Sequence, residues 1–178
     1  VQFSPDGVLL ATGDRSSGLF VWEGETAREY LGLRGHTAAI SSISWRPDSN
    51  VLASGSEDGS VRLWEMNDGN QIKTWPAHGG GVFSVHYSQD GKIATAGRDN
   101  TVKLWAGDGA AIKTYPNFTE PALRAVIVHD GKRVIGGDWL GNLKAWDATE
   151  AKELFVLAPN PLPLDQALAA AQAAVAPK

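Results

Sequence analysis

The chain has 178 residues, 43% hydrophobic and 20% charged, which is enough apolar side chain to bury a core and sets it outside the disordered class. A net charge of −4 leaves no broad basic surface for nucleic acid phosphates or an anionic membrane, so neither is expected as a partner. With no cysteine there is no disulfide framework, thiolate nucleophile, cysteine-containing zinc site or c-type haem attachment, and no apolar stretch is long enough to span a bilayer.

From Val1 onward the elements are short and extended. VQFSPDG sets an apolar strand before an Asp-containing turn, GLFVW alternates with the period of two that marks a strand, and TAREYLGL supplies another. The same sequence of events follows in SISWRPDS, SVRLW and NQIKTWPA, then in SVHYSQDG, TVKLW and AAIKTYPN, and finally in AVIVHDGK, NLKAW and AKELFVLA. Twenty glycines and nine prolines, many of them between these runs, favour tight turns over long helices, and the glycines of TGDRSSG and GSEDGS read as turn residues with positive φ. An all-β fold of four repeats is expected, about 1–34, 35–76, 77–116 and 117–158. PNPLPL then reads as a Pro-rich linker over 159–163, and an Ala-rich helix capped by Asp165 is expected over 164–178, either docked on the strands or opening a longer coiled segment. Because the chain opens at Val1 inside a first strand, the native start is expected upstream. The compartment is left undetermined, with the cytoplasm as the default.

The repeat has a fixed register. Trp22, Trp64, Trp105 and Trp146 are 42, 41 and 41 residues apart, and eleven residues before each stand Ala11, Ala53, Ala94 and Ile135. Together with Gly35-His36, Ala77-His78, the turns SPDG and RPDS, the stretches ASGSEDGSVRLWE and ATAGRDNTVKLWA, and Trp146-Asp147, this spacing resembles the WD40 family over about residues 1–158. The resemblance implies four-stranded antiparallel blades set radially as a β-propeller, and a non-catalytic protein-interaction scaffold with no cofactor. Trp22 and Trp64 are followed by Glu and Trp105 by Ala, departing from the family's Trp-Asp pair. The fourth repeat departs furthest, with Asn117-Phe118 where Gly-His would stand.

The resemblance further implies a hydrogen-bonded set of four in each complete blade. Blade two offers His36, Ser54, Asp58 and Trp64, and blade three His78, Thr95, Asp99 and Trp105. Blade one keeps Thr12 and Trp22 with Ser16 at the Asp position, and blade four has Phe118, Gly136 and Leu140 beside Trp146. A Ser, a His and an Asp together invite a hydrolase reading, with His as base and Asp as its orienter. An indole N–H is a donor only, however, and a Trp aimed at the hydroxyl occupies the lone pair a nucleophile needs. Recurrence with the repeat also marks a packing device. No metal site is expected, since neither His86 nor His129 has a second ligand at suitable spacing.

In the family, the turns joining second to third strands share one rim with the loops leading into the first strands, and that rim is the usual partner face. The residue before the turn's Asp position is Arg15, Glu57, Arg98 and Trp139 in successive blades. A constant frame that displays four different chemistries suits recognition of a protein or peptide, with Arg98 and Trp139 expected as neighbours. Trp45 and Trp75, outside the repeating position, read as core. The other function considered is an accessory module of a larger enzyme or electron-transfer protein with its chemistry elsewhere. Four blades at family curvature also predict an incomplete ring, to be finished by further blades or another chain.

Overall fold

Alternating apolar residues make each strand two-faced, and the structure buries both faces by stacking sheet on sheet. In the computed structural model, residues 1–116 and 118–157 are described. Strands β1 (Gln2–Phe3), β2 (Leu9–Gly13), β3 (Leu19–Glu23) and β4 (Glu29–Leu33) form the first sheet. Strands β5 (Ile40–Trp45), β6 (Val51–Ser56), β7 (Ser60–Glu65) and β8 (Gln71–Pro76) form the second. The third holds β9 (Val82–Tyr87), β10 (Ile93–Gly97), β11 (Val102–Trp105) and β12 (Ala111–Thr114). The fourth holds β13 (Ala122–Ile127), β14 (Arg133–Asp138), β15 (Leu143–Asp147) and β16 (Glu153–Leu157). Each sheet is an antiparallel meander in chain order. The Ala-rich helix expected over 164–178 and the linker before it lie outside the described residues.

Within every blade the third-strand Trp sits opposite an apolar second-strand residue: Leu10, Leu52, Ile93 and Val134 face Trp22, Trp64, Trp105 and Trp146. The pairing of third with fourth strand slips by one residue at that same Trp in all four blades. A bulge there adds twist, which a blade needs if its neighbours are to fan.

Three apolar cores lie between the blades. The first joins Leu19, Val21 and Leu33 of blade one to Trp45, Leu52 and Trp64 of blade two. The second joins Val61, Leu63 and Trp75 to Val82, Tyr87 and Trp105, and the third joins Val102, Leu104 and Tyr115 to Ala125, Val134 and Trp146. Each blade therefore turns its Trp face to the preceding blade and its other face to the following one. Trp45 and Trp75 are both buried in these seams.

First strands are sheet edges, and their unpaired backbone groups need partners. Side chains of the preceding blade supply them. Ser42 and Ser44 hydroxyls accept from the amides of Val85 (3.1 Å) and Tyr87 (2.9 Å), and Ser41 donates to the Val82 carbonyl at 2.6 Å. Ser84 and His86 accept in the same way from Ala125 (3.4 Å) and Ile127 (3.3 Å). The first strands thus line one shared groove of about 340 Å³, with Gln2, Ser44, His86 and Arg124 among its walls. Among the described residues, no strand of the first blade packs extensively on a strand of the fourth. Among the described residues the four blades form an arc, and no other blade covers either of its end faces.

Candidate functional site

The rim is built by one hydrogen bond repeated from blade to blade. In the turn after each second strand, the amides of Glu57, Arg98 and Trp139 donate to the carbonyls of Ala39, Gly81 and Pro121, which lie just ahead of the first strand of the same blade. In blade one the bond links neighbours instead, from the Ile40 amide to the Asp14 carbonyl. The turn and the adjoining loop are therefore one unit, and the side chains between them are held out on a fixed backbone. Arg15, Glu57, Arg98 and Trp139 are all exposed, Trp139 to 69%. Leu140 beside it is exposed as well. The Arg98 guanidinium lies 5.6 Å from the centre of the Phe83 ring. Its ring contact is thus with its own blade.

Behind the turns of blades two and three lies a buried relay. In blade two the Trp64 indole donates to Ser54 Oγ at 2.8 Å, the Ser54 hydroxyl meets His36 Nε2 at 2.8 Å, and His36 Nδ1 meets Asp58 at 2.8 Å. Blade three repeats it: Trp105 to Thr95 at 2.8 Å, Thr95 to His78 at 2.7 Å, and His78 to Asp99 at 2.8 Å. With Trp giving its only proton to the hydroxyl, the hydroxyl gives its own to Nε2 and Nδ1–H goes to the carboxylate, so the imidazole is neutral. Burial, the larger influence, lowers the pKa of His36 and His78 against the opposing pull of their aspartates. Burial alone would raise Asp99, but hydrogen bonds from Thr101 and His78 outweigh it and draw the carboxyl down to about 2. Asp58 is likewise lowered, held by Ser60 and His36.

Each relay has a fifth member that sequence reasoning missed. Ser60 and Thr101, two residues after the aspartates, donate to them at 2.7 and 2.6 Å and also lie beside the His Nδ1 atoms. The available signal was a hydroxyl residue at the same offset in both blades. Ser54 and Thr95 are fully buried and already hydrogen-bonded on both sides, so neither is presented to a substrate.

The outer blades solve the same turn differently. In blade one, Trp22 still donates to Thr12 at 2.9 Å, and in both blades an aspartate two positions earlier caps the turn. Asp14 accepts from the amides of Ser16 and Gly18, and Asp138 from those of Leu140 and Asn142. The positive φ expected at a glycine of TGDRSSG falls on Ser17 (69°), because Gly18 lies one residue beyond the turn's left-handed position. In blade four the Phe118 ring stands edge-on to Trp146, at 5.7 Å and 85°, where blades two and three hold imidazole. Gly136 makes room for it, since a Cβ there would lie 3.1 Å from both the Phe118 and Trp146 rings. The Trp146 indole N–H is buried without a partner.

A family model described as WD domain, G-beta repeat, matches residues 28–65 and 69–106, which carry both relays. Those two segments are WD40 repeats. Among solved structures similar to it, the mitotic checkpoint complex gives a TM-score of 0.82 at 22% identity, over 89% of this chain and 52% of that one. The computationally designed Ika8 protein gives 0.76 at 22% identity, over 84% and 46%. The likeness is one of fold, and the four blades span about half the length of either chain. A search of curated proteins finds no match. Among the described residues no cluster of His, Asp and Glu is arranged to hold a metal ion, and no helix is long and apolar enough to cross a membrane.

Proposed function

We propose that this WD40 arc is a non-catalytic scaffold that binds a protein or peptide through the rim carrying Arg15, Glu57, Arg98 and Trp139. The observation that carries the reading is Trp139, a large aromatic side chain 69% exposed on a turn whose amide is tied to Pro121. Holding an indole in water forgoes the stabilisation of burying it, and a rigid backbone lets a partner cover it with little ordering cost. Arg15 and Arg98 at the equivalent positions add cationic donors, so the partner best suited to the rim is a peptide with acidic and aromatic residues.

Selection of a displayed random-peptide library on the chain tests this. Enriched sequences should carry acidic and aromatic residues. Trp139→Ala should weaken their binding by about 30-fold, equivalent to about 2 kcal/mol, with the melting curve unchanged. Peptides that bind Trp139→Ala at full affinity would move the site off this rim.

A further inference from the structure

The end of the blades opposite the rim is formed by the turns that join first to second and third to fourth strands. Between blades one and two those turns line a pocket of about 680 Å³. Its apolar wall is Val8, Leu9 and Tyr30 of blade one with Met66 of blade two. Val8 is 59% exposed and Tyr30 42%, and the Tyr30 hydroxyl donates to the Asn67 carbonyl at 3.4 Å, which ties the ring to blade two. Asp6, Glu23 and Glu25 line the same pocket, and among the described residues none of the three is in an ion pair. The equivalent turns of the next two blades neutralise their own carboxylates: Asp48 pairs with Arg46 at 2.8 Å and Asp90 with Lys92 at 2.5 Å. At those two partner positions blade one carries Ser4 and Val8. Hydrogen bonds from the Ser4 hydroxyl and the Val8 amide lower the pKa of Asp6, so it is ionised at neutral pH.

We infer that this pocket takes a basic segment of a partner protein, with the aliphatic stem of a Lys or Arg along Val8, Tyr30 and Met66 and its cationic head at Asp6, Glu23 and Glu25. Such a side chain is apolar along its length and charged at its tip, so it matches the wall and the carboxylates at once. A purely apolar segment would desolvate the carboxylates without pairing them, and a small inorganic cation would leave Val8 and Tyr30 in water. The Tyr30 ring adds a face to which a cation is attracted. This site is independent of the rim reading, because it lies at the opposite end of the blades and uses none of the four rim side chains. The acidic peptide suited to the rim would be repelled here.

Selection of a displayed random-peptide library on the 178-residue chain carrying Trp139→Ala tests this, the substitution keeping rim binders out of the enriched pool. Enriched sequences should carry Lys or Arg beside apolar residues, and a synthetic copy should bind more weakly as salt rises. Val8→Lys puts a cation two residues after Asp6, as Lys92 stands to Asp90, and should weaken that peptide by about 10-fold. Glu25→Gln should weaken it by about threefold and flatten the salt dependence. Both positions are exposed, so circular dichroism and the melt should be unchanged by either substitution. A pool without basic sequences would overturn the inference. So would basic peptides that bind both Val8→Lys and Glu25→Gln at full affinity. Acidic and aromatic peptides report on the rim alone, so failure of one site leaves the result for the other readable.

Discussion

Blades two and three differ from blades one and four in how they hold the same turn, and the contrast separates the side chains bound into buried relays from those exposed on the rim. The inner pair carry complete relays, each ending on an aspartate that also caps the turn. The outer pair shift the cap two residues back to Asp14 and Asp138, which frees the next positions from any buried obligation. In blade four those freed positions are Trp139 and Leu140, the exposed apolar pair on the rim. The relay belongs to stability, and the display of side chains is greatest where no relay constrains the turn.

The contrast can be broken most forcefully at the repeating Trp. Trp64→Ala empties a seam and leaves Ser54 and His36 rearranged, with an expected loss of about 3–5 kcal/mol. Trp22→Ala, on an open face, should cost distinctly less. Denaturant melts of the two variants decide, and equal losses would mean that the open face is covered or that the seam is not the source of stability.

Next in size are the carboxylates. Asp99→Ala strands the His78 Nδ1–H and the Thr101 hydroxyl, a cost of about 1–3 kcal/mol. Leu140→Ala, at the matching position of blade four, should stay within about 0.5 kcal/mol because the side chain is exposed. A larger loss for Leu140→Ala in the same melts would contradict the assignment.

Acid titration sharpens the comparison further. His36, His78 and His86 all have folded-state pKa values below the ordinary 6.5, chiefly from burial, so the unfolded chain binds protons more readily in that range. Their contribution is complete above about pH 6.5 and is lost as pH falls through the lowered values. Arg124 is the charged group that further depresses His86, while Asp58 and Arg62 face His36, and Asp99 and Lys103 face His78. Thermal melts should therefore weaken steadily from pH 6.5 downward, before the carboxylates protonate. A His36→Asn, His78→Asn double variant should show a flatter dependence over that window, and an unchanged slope would exclude the relays as its source.

The smallest effect lies in the turn between third and fourth strands. Its left-handed residue is Gly69 and Gly109 in the inner blades but Ala27 (φ 54°) and Ala151 (φ 58°) in the outer ones. Ala27→Gly and Ala151→Gly should each stabilise by about 0.5–1 kcal/mol, the left-handed penalty relieved less the added chain entropy. Gly109→Ala should destabilise, as its Cβ would meet the Trp75 ring at 2.7 Å. Calorimetric midpoints moving in the same direction for both types of substitution would show that φ is not what distinguishes these turns.

Much of this was legible in the sequence because Trp spacing and strand alternation repeat, and repetition fixes register without any knowledge of contacts. Residues whose partners recur in sequence, such as His36 with Asp58 and His78 with Asp99, could be paired through the family resemblance. Substitutions that compensate one another across the fold were hidden. Phe118 and Gly136 each read as losses, and only their shared contact with Trp146 shows that a ring has replaced an imidazole. Asp14 and Asp138 were passed over because their role is a shift along the turn, which leaves the strand pattern unchanged. Arg98 took Phe83 as its neighbour, a within-blade contact that comparison of equivalent positions between blades does not reveal.

The most direct test of the division between relay and rim is to measure, for Asp99→Ala and Trp139→Ala side by side, both the melting midpoint and the affinity for the library-selected peptides. The account predicts opposite signatures. Asp99→Ala should melt earlier yet bind normally at a temperature where it is folded, and Trp139→Ala should melt normally yet lose about 30-fold in affinity. Early melting of Trp139→Ala with its affinity intact would contradict the account, placing the indole among the groups that hold the blades together.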